Sequence, residues 1–288
     1  MDSFAFAGLA DRAVIAVRGT DARHFLQNLV TANIDAVAPG RAAYGALLTP
    51  QGKVQFDFIA FADGDGFLLD TPLDRAEDFA KRLGFYKLRA AVTVALVPDL
   101  EVIAAWGDVP TPTGATAAAL DPRNADLGFR VIAPAGASPF GGEPVSASDY
   151  DAHRIRLGIP AGGIDFAFGD AFPHDIDMDQ LGGIDFKKGC YTGQEIVSRM
   201  EHRGTARRRI VKVRAAEALP PTGTPILAGE IEIGRLGSTL ENTGLAMVRL
   251  DRAREALDAG VAVTAAGLSL DLTIPDWARF GWPKAAAE

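Results

Sequence analysis

The chain of 288 residues holds one cysteine, Cys190, and four histidines. A single cysteine excludes an internal disulfide and any metal centre built from several thiolates of one chain. No apolar run approaches the ~20 residues that span a bilayer, so no membrane partner is expected. Nucleotide loops are missing as well. Gly162-Gly163 and Gly182-Gly183 do not make a P-loop, and no Gly-x-Gly-x-x-Gly follows a strand and opens a helix. That argues against a nucleotide-dependent enzyme. The start, Met1-Asp2-Ser3-Phe4, carries neither a basic segment ahead of an apolar core nor an Arg/Ser-rich amphipathic presequence. The expected location is the bacterial cytoplasm, or the mitochondrial matrix for a eukaryotic source, where trimming of a presequence leaves the same kind of start.

Apolar residues make up 48% of the chain, enough for a substantial core, and glycine and proline together number 48, which favours turns over a helical bundle. The net charge of −8 is unevenly spread. Residues 187–214 carry nine Lys/Arg against two Glu, a local +7 that leaves −15 elsewhere. A basic segment on an acidic protein points to a small anionic ligand rather than direct nucleic-acid binding, because the rest of the surface repels a long polyanion. A solvated helix face running into an edge strand accounts for the same run.

Alternation and turn residues predict strands over 14–18, 41–48, 53–62, 67–69 and 90–97, with a helix from Thr20 or Asp21 to about Val30 and another over 74–83. Residues 98–149 are less regular, with a strand near 129–133 and a short Ala-rich helix before it. A helix over 150–157 ends at Gly158. Residues 159–185 have little periodicity and read as a functional loop. After 205 the pattern is β, with strands near 225–228, 231–240, 244–250, 260–266 and 268–274, as in a small barrel or sandwich.

The stretch Lys187-Lys188-Gly189-Cys190-Tyr191-Thr192-Gly193-Gln194-Glu195 concentrates the chemistry. Thr192 and Glu195 have the spacing of a capping box, opening a helix from Glu195 to about His202 with Gly204 as its stop. A thiol beside lysines and ahead of a helix start is expected to carry more thiolate at neutral pH. The alternative is a small buried hydrophobe, a common fate of free cysteine. None of His24, His153, His174 and His202 has the local signature of a catalytic base. Asp165, Asp170, His174, Asp175, Asp177 and Asp179 crowd one stretch, but their order does not fit an EF-hand loop, and an exposed, solvated loop is expected.

Lys188-Gly189-Cys190-Tyr191-Thr192-Gly193-Gln194-Glu195 resembles the signature of the YgfZ proteins, folate-binding relatives of the glycine-cleavage T-protein. Other segments resemble the family in order: residues 17–33, Gly40-Arg41-Ala42-Ala43-Tyr44, Pro50-Gln51-Gly52-Lys53-Val54, Phe85-Tyr86-Lys87-Leu88-Arg89, Arg154-Ile155-Arg156-Leu157-Gly158 and Gly234-x-x-Gly237-Ser238. The resemblance implies an α+β fold of three T-protein-like domains around a central channel, ending in a small β-barrel. Residues 1–204 would form the folate-binding body, as two interleaved α+β subdomains with the second centred near 45–150, and 205–288 the barrel.

The resemblance further implies a monomer that binds tetrahydrofolate or another reduced folate and serves iron–sulfur assembly proteins and client iron–sulfur enzymes, including radical-type methylthiolation enzymes of tRNA modification. Cys190 would be the reactive group and Lys188 would tune it, supported by Gly189, Tyr191, Gly193, Gln194, Glu195 and Arg199. Gly189 and Gly193 would let the backbone approach a ligand. Tyr44 and Asp57 are candidates for the flat pterin, with Tyr191. Lys188, Arg199 and Arg203 would meet the carboxylates of the folate tail. No metal site is expected within one chain. A cluster that needs four thiolates could only be shared transiently with a partner. Two alternatives stand beside this reading: a tetrahydrofolate-dependent aminomethyl or one-carbon transferase, and a folate-binding module in which Cys190 is structural.

Overall fold

A computed structural model describes residues 4–204 and 206–283. It divides into two compact units that share the chain discontinuously: residues 1–151 with 181–194, and residues 152–180 with 195–288.

The first unit contains β1 (Phe4–Gly8), β2 (Arg12–Arg18), α1 (Ala22–Gln27), β3 (Ala43–Leu48), β4 (Val54–Asp63), β5 (Gly66–Pro72), α2 (Leu73–Tyr86), β6 (Thr93–Leu96), β7 (Leu100–Gly107), β8 (Ala117–Leu120) and β9 (Phe129–Pro134). Two antiparallel sheets result, in the orders β3-β4-β5-β2-β6 and β1-β7-β9-β8. Strand periodicity sorts the side chains of the five-stranded sheet. Ile15, Val17, Leu47, Phe56, Phe58, Ala60, Phe67 and Leu69 form one face and pack on Ala76, Phe79 and Leu83 of α2. Phe79 stacks on Phe56 with ring centroids 4.8 Å apart. The opposite face carries Arg12, Tyr44, Asp57 and Asp70. The four-stranded sheet has its own apolar face of Phe6, Ile103, Ala105, Val131 and Ala133.

Helix α3 (Ala147–Leu157) carries the chain into the second unit, as α4 (Gln194–Arg203) does again later. There follow β10 (Arg208–Arg214), β11 (Pro225–Ala228), β12 (Ile231–Leu240), β13 (Thr243–Arg249), α5 (Leu250–Asp258), β14 (Val263–Ala265), β15 (Leu268–Ser269) and β16 (Asp271–Thr273). The sheet order is β15-β14-β11-β12-β13-β10-β16. Its two edge strands are separated in sequence by Leu270 alone. The sheet must therefore curl until its edges nearly meet, which makes a nearly closed barrel. Val211, Ile226, Ile233, Leu236, Ala246, Val248 and Val263 fill it, with Ala253 and Ala256 of α5 packed on that core.

Three expectations need correction. The Ala-rich stretch is the strand β8, paired along its length with β9. Alanine has high helix propensity, but a partner strand overrides a four-residue preference. The region around it is a regular sheet, with β7 between β1 and β9. Helix α5 has no counterpart in the expected elements, although Leu250, Ala253 and Ala256 recur at helical spacing and share its buried face.

Candidate functional site

In the first unit the polar face of the five-stranded sheet is covered, and its charged groups are buried. Asp57 sits diagonally from Tyr44 across the β3–β4 ladder, opposite Ala46. Arg12 donates through Nε to Asp70 Oδ1 at 2.6 Å. From the other side come Arg130 on β9 and, after β8, Asp121 and Arg123. Arg123 makes a fork to Asp121 at 2.9 and 2.7 Å and holds its Cζ 5.9 Å from the Tyr44 ring centroid. Arg130 donates to the Tyr150 hydroxyl at 2.7 Å and lies 3.4 Å from Asp70.

Four atoms of this cluster lack a hydrogen-bond partner among the described residues: Asp57 Oδ1, Asp70 Oδ2, and Arg130 Nε and Nη1. Burial raises the Asp57 carboxyl above the ordinary carboxylate range, against the pull of Arg12 and Arg123. Burial likewise pushes the Tyr44 hydroxyl up, and the charge of Asp57 adds to it. Burial opposes ionisation of Asp121, yet Arg123 and Arg130 hold it down to about 2. Asp57 is thus a buried carboxyl in a cationic setting, not a routine strand residue on a solvent face. Arg12, Asp121, Arg123 and Arg130 were not anticipated, because the pairing joins residues up to 60 positions apart and leaves no local pattern.

Beside Tyr44 opens a cleft of about 410 Å³, lined among others by Asn33, Arg41, Pro122, Asp185, Phe186 and Lys187. Its floor leads into the thiol loop, and that loop is tied down. Asp185 N donates to Thr31 O, and Asp185 Oδ1 accepts from the N–H groups of Lys187 and Lys188 at 2.7 and 3.1 Å. Thr31 Oγ1 donates to Gly183 O at 2.6 Å and accepts from Ala46 N at 2.9 Å. Lys188 Nζ donates to the carbonyls of Val30 and Ala32 and stands 5.7 Å from the Tyr191 ring centroid. Its ammonium serves as the anchor of the loop. Burial lowers its pKa to about 8. Tyr191 is buried, with its hydroxyl unpartnered among the described residues, and burial pushes it up to about 12. Gln194 N reaches back to Tyr191 O at 3.3 Å. Cys190 itself is exposed, so the buried-hydrophobe reading does not apply.

The two flanking glycines differ. Gly193 has φ +79°, and a Cβ there would stand 2.7 Å from Thr49 O, so its freedom is used by the β3–β4 turn rather than by a ligand. A Cβ on Gly189 would meet nothing within 4 Å. Helix α4 starts at Gln194, one residue before the expected start, which puts Thr192 outside the cap position. In the second unit the Glu195 carboxylate accepts instead from Arg199, one turn on, at 2.6 Å. Arg203 is exposed on the same helix.

The acidic stretch 165–179, expected to be solvated, is mostly buried. Asp165 accepts from Arg154, Ala161 N, Ser238 N and Ser238 Oγ. Asp175 pairs with Arg208 at 2.7 Å, and Asp177 and Asp179 pair with Arg209. Two arginines of the basic segment are therefore counter-ions for these carboxylates, which accounts for part of its +7. His174, Asp179 and Glu201 bring one ligand atom each within 4.8 Å of the others. The Arg209 guanidinium already occupies both oxygens of Asp179, and its charge opposes a cation there.

The chain is 31% identical to the human mitochondrial iron–sulfur cluster assembly factor IBA57, over 96% of this chain and 84% of that one. It is 32% identical to the mitochondrial IBA57 homologue of Pyricularia oryzae, over 98% and 76%. The chain belongs to the IBA57 family of iron–sulfur cluster assembly factors. Residues 207–280 match the family described as the CAF17 C-terminal beta-barrel domain, in accord with the curled seven-stranded sheet. Among solved structures, the glycine cleavage system aminomethyltransferase T of Bartonella henselae matches with a TM-score of 0.71 at 15% identity, covering 96% of this chain and 86% of that one. The fold of this IBA57 relative is thus the α+β aminomethyltransferase fold with a C-terminal β-barrel. At 15% identity that likeness concerns the fold alone.

Proposed function

We propose that the chain is a YgfZ-type, folate-binding accessory protein for the assembly or repair of iron–sulfur clusters, with Cys190 as its reactive group. The observation that carries this reading is the contrast within the thiol loop. Lys188 and Tyr191 are anchored or buried on either side, while the one thiol of the chain is left exposed. A held, accessible thiol suits a ligand or nucleophile that meets a partner. Cys190 offers a single thiolate, so a cluster, as cargo, takes its other ligands from an iron–sulfur assembly protein or a client enzyme. The names of the relatives, iron–sulfur cluster assembly factors, support this direction.

The cleft beside Tyr44 supports the folate part. Tyr44 and Phe186 offer aromatic surface to a flat pterin, and Arg41 and Lys187 offer cations to the carboxylates of the tail. The volume suits a small-molecule site, for which about 300–1,000 Å³ is usual. Asp57 Oδ1, buried and unpartnered, is a ready acceptor for the amino edge of such a ring. The aminomethyltransferase fold favours a second reading, tetrahydrofolate-dependent one-carbon transfer.

Cells lacking the protein, complemented with Cys190→Ser, test the thiol. Activity of a [4Fe–4S] enzyme should stay at the deletion level; full restoration by the serine variant would sink the thiol mechanism. Saturating tetrahydrofolate should raise the melting temperature of the wild type, since a ligand at 100 times its Kd stabilises by about 2.7 kcal/mol. Asp57→Asn should lose most of that shift. No shift in the wild type removes folate from the reading. Robust aminomethyl transfer from a lipoyl carrier protein would put the transferase first.

A further inference from the structure

Helix α2 ends in a surface that the reading above does not use. Its last cap residue, Lys87, is still helical, and the next residue, Leu88, turns to φ +43°. That is the left-handed position at which helices commonly place glycine. Leu88 is nevertheless a large apolar residue, 88% exposed, and Phe85, three positions before it, is 67% exposed. These are the two most exposed large hydrophobic side chains among the described residues. Neither backbone preference nor core packing accounts for them.

The charges that the last turn of α2 and the residues after it carry are basic, while Asp21 reaches the far side of that turn and accepts from Ala91 N at 2.8 Å. Lys81, Arg82 and Arg89 are exposed and have no ion pair among the described residues. No Asp or Glu occurs between Asp78 and Asp99. The first half of α2 is the reverse, with Asp74, Glu77 and Asp78 exposed. The helix macrodipole favours that order of charges, but it has no use for Phe85 and Leu88. The turn runs on into β6, the edge strand of its sheet.

We propose that the end of α2, with Phe85 and Leu88 ringed by Lys81, Arg82 and Arg89, is a docking surface for a partner protein whose contact segment is acidic and carries an apolar anchor. Complementary charge selects the segment, and the two apolar side chains supply the desolvated centre of the contact. An anionic membrane fits less well, because the acidic first half of the same helix would face the same plane. The proposal is independent of Cys190 and of folate.

The test uses the full chain and a short helical peptide with leucines at i and i+4 on a glutamate background. Its lysine-for-glutamate counterpart and phosphatidylglycerol vesicles serve as the other probes. The acidic peptide should bind, and Leu88→Gly and the pair Arg82→Glu/Arg89→Glu should each weaken it by about tenfold. Leu88→Gly should melt no lower than the wild type, because glycine suits φ +43°, so lost binding cannot be blamed on misfolding. Equal binding of the acidic and basic peptides, or unchanged binding by Leu88→Gly, overturns the proposal. So does vesicle binding or self-association that depends on Leu88, which would assign the surface to lipid or to a second copy.

Discussion

Gly189 and Gly193 flank the thiol within one loop and obey different constraints. Gly193→Ala forces a side chain into a left-handed backbone and against the Thr49 carbonyl, and should cost about 2 kcal/mol or more. Gly189→Ala meets open space and should stay within about 0.5 kcal/mol. Urea midpoints of the two variants check this directly. Lys188 makes a pH-dependent contribution. Its folded pKa of about 8 lies below the ordinary 10.5, so between these values the unfolded chain binds more protons than the folded one. Stability from this group therefore rises with pH across that window and is flat below it. Tyr191, pushed up to about 12, acts in the opposite sense, but only above its ordinary value of 10. From pH 8 to 10 the unfolding free energy of the wild type should gain on that of Lys188→Met. A constant difference would mean that the ammonium is not buried as described.

Among the elements, the segment 152–180 matters most for the barrel. Ile155 packs with Ile210 of β10 and Leu245 of β13, Asp165 fastens Ser238 of β12, and Asp177 and Asp179 neutralise the buried Arg209. A fragment of residues 207–288 keeps every strand of the sheet but leaves Arg209 unpaired and two large apolar residues uncovered. An unpaired buried charge alone costs about 3–5 kcal/mol. The fragment should unfold at markedly lower urea than the barrel in the full chain, and addition of 152–180 by a flexible linker should recover most of the loss. Equal midpoints would show the segment to be dispensable. The sequence conceals this dependence. Alternation makes the β3–β4 hairpin legible and helical periodicity does the same for α2, since each signal is local to its own stretch of chain. The carboxylates of 165–179 are read as solvated because Arg208 and Arg209 stand about 30 residues further on, and no local pattern links them.

At the scale of the molecule, the charge asymmetry legible in the sequence dissolves into several local arrangements. Part of the basic run is spent on buried carboxylates, part on the Glu195–Arg199 pair, and Lys188 on the carbonyls of Val30 and Ala32. The thiol loop is the part of the site that the sequence announces, because its residues are contiguous. The buried group around Asp57 is assembled from strands of two sheets and becomes visible only when both are in place. The discontinuous layout of the units has a consequence for the order of events during synthesis. The first unit emerges with its two sheets already encoded, but the residues that carry the thiol follow only after the whole of 152–180 has left the ribosome. Lys188 then has to find Val30 and Ala32 across more than 150 intervening residues. A chain synthesised only as far as residue 180 therefore holds the strands of both sheets of the first unit but neither Lys188 nor Cys190, and these residues join it before the strands of the barrel have been made.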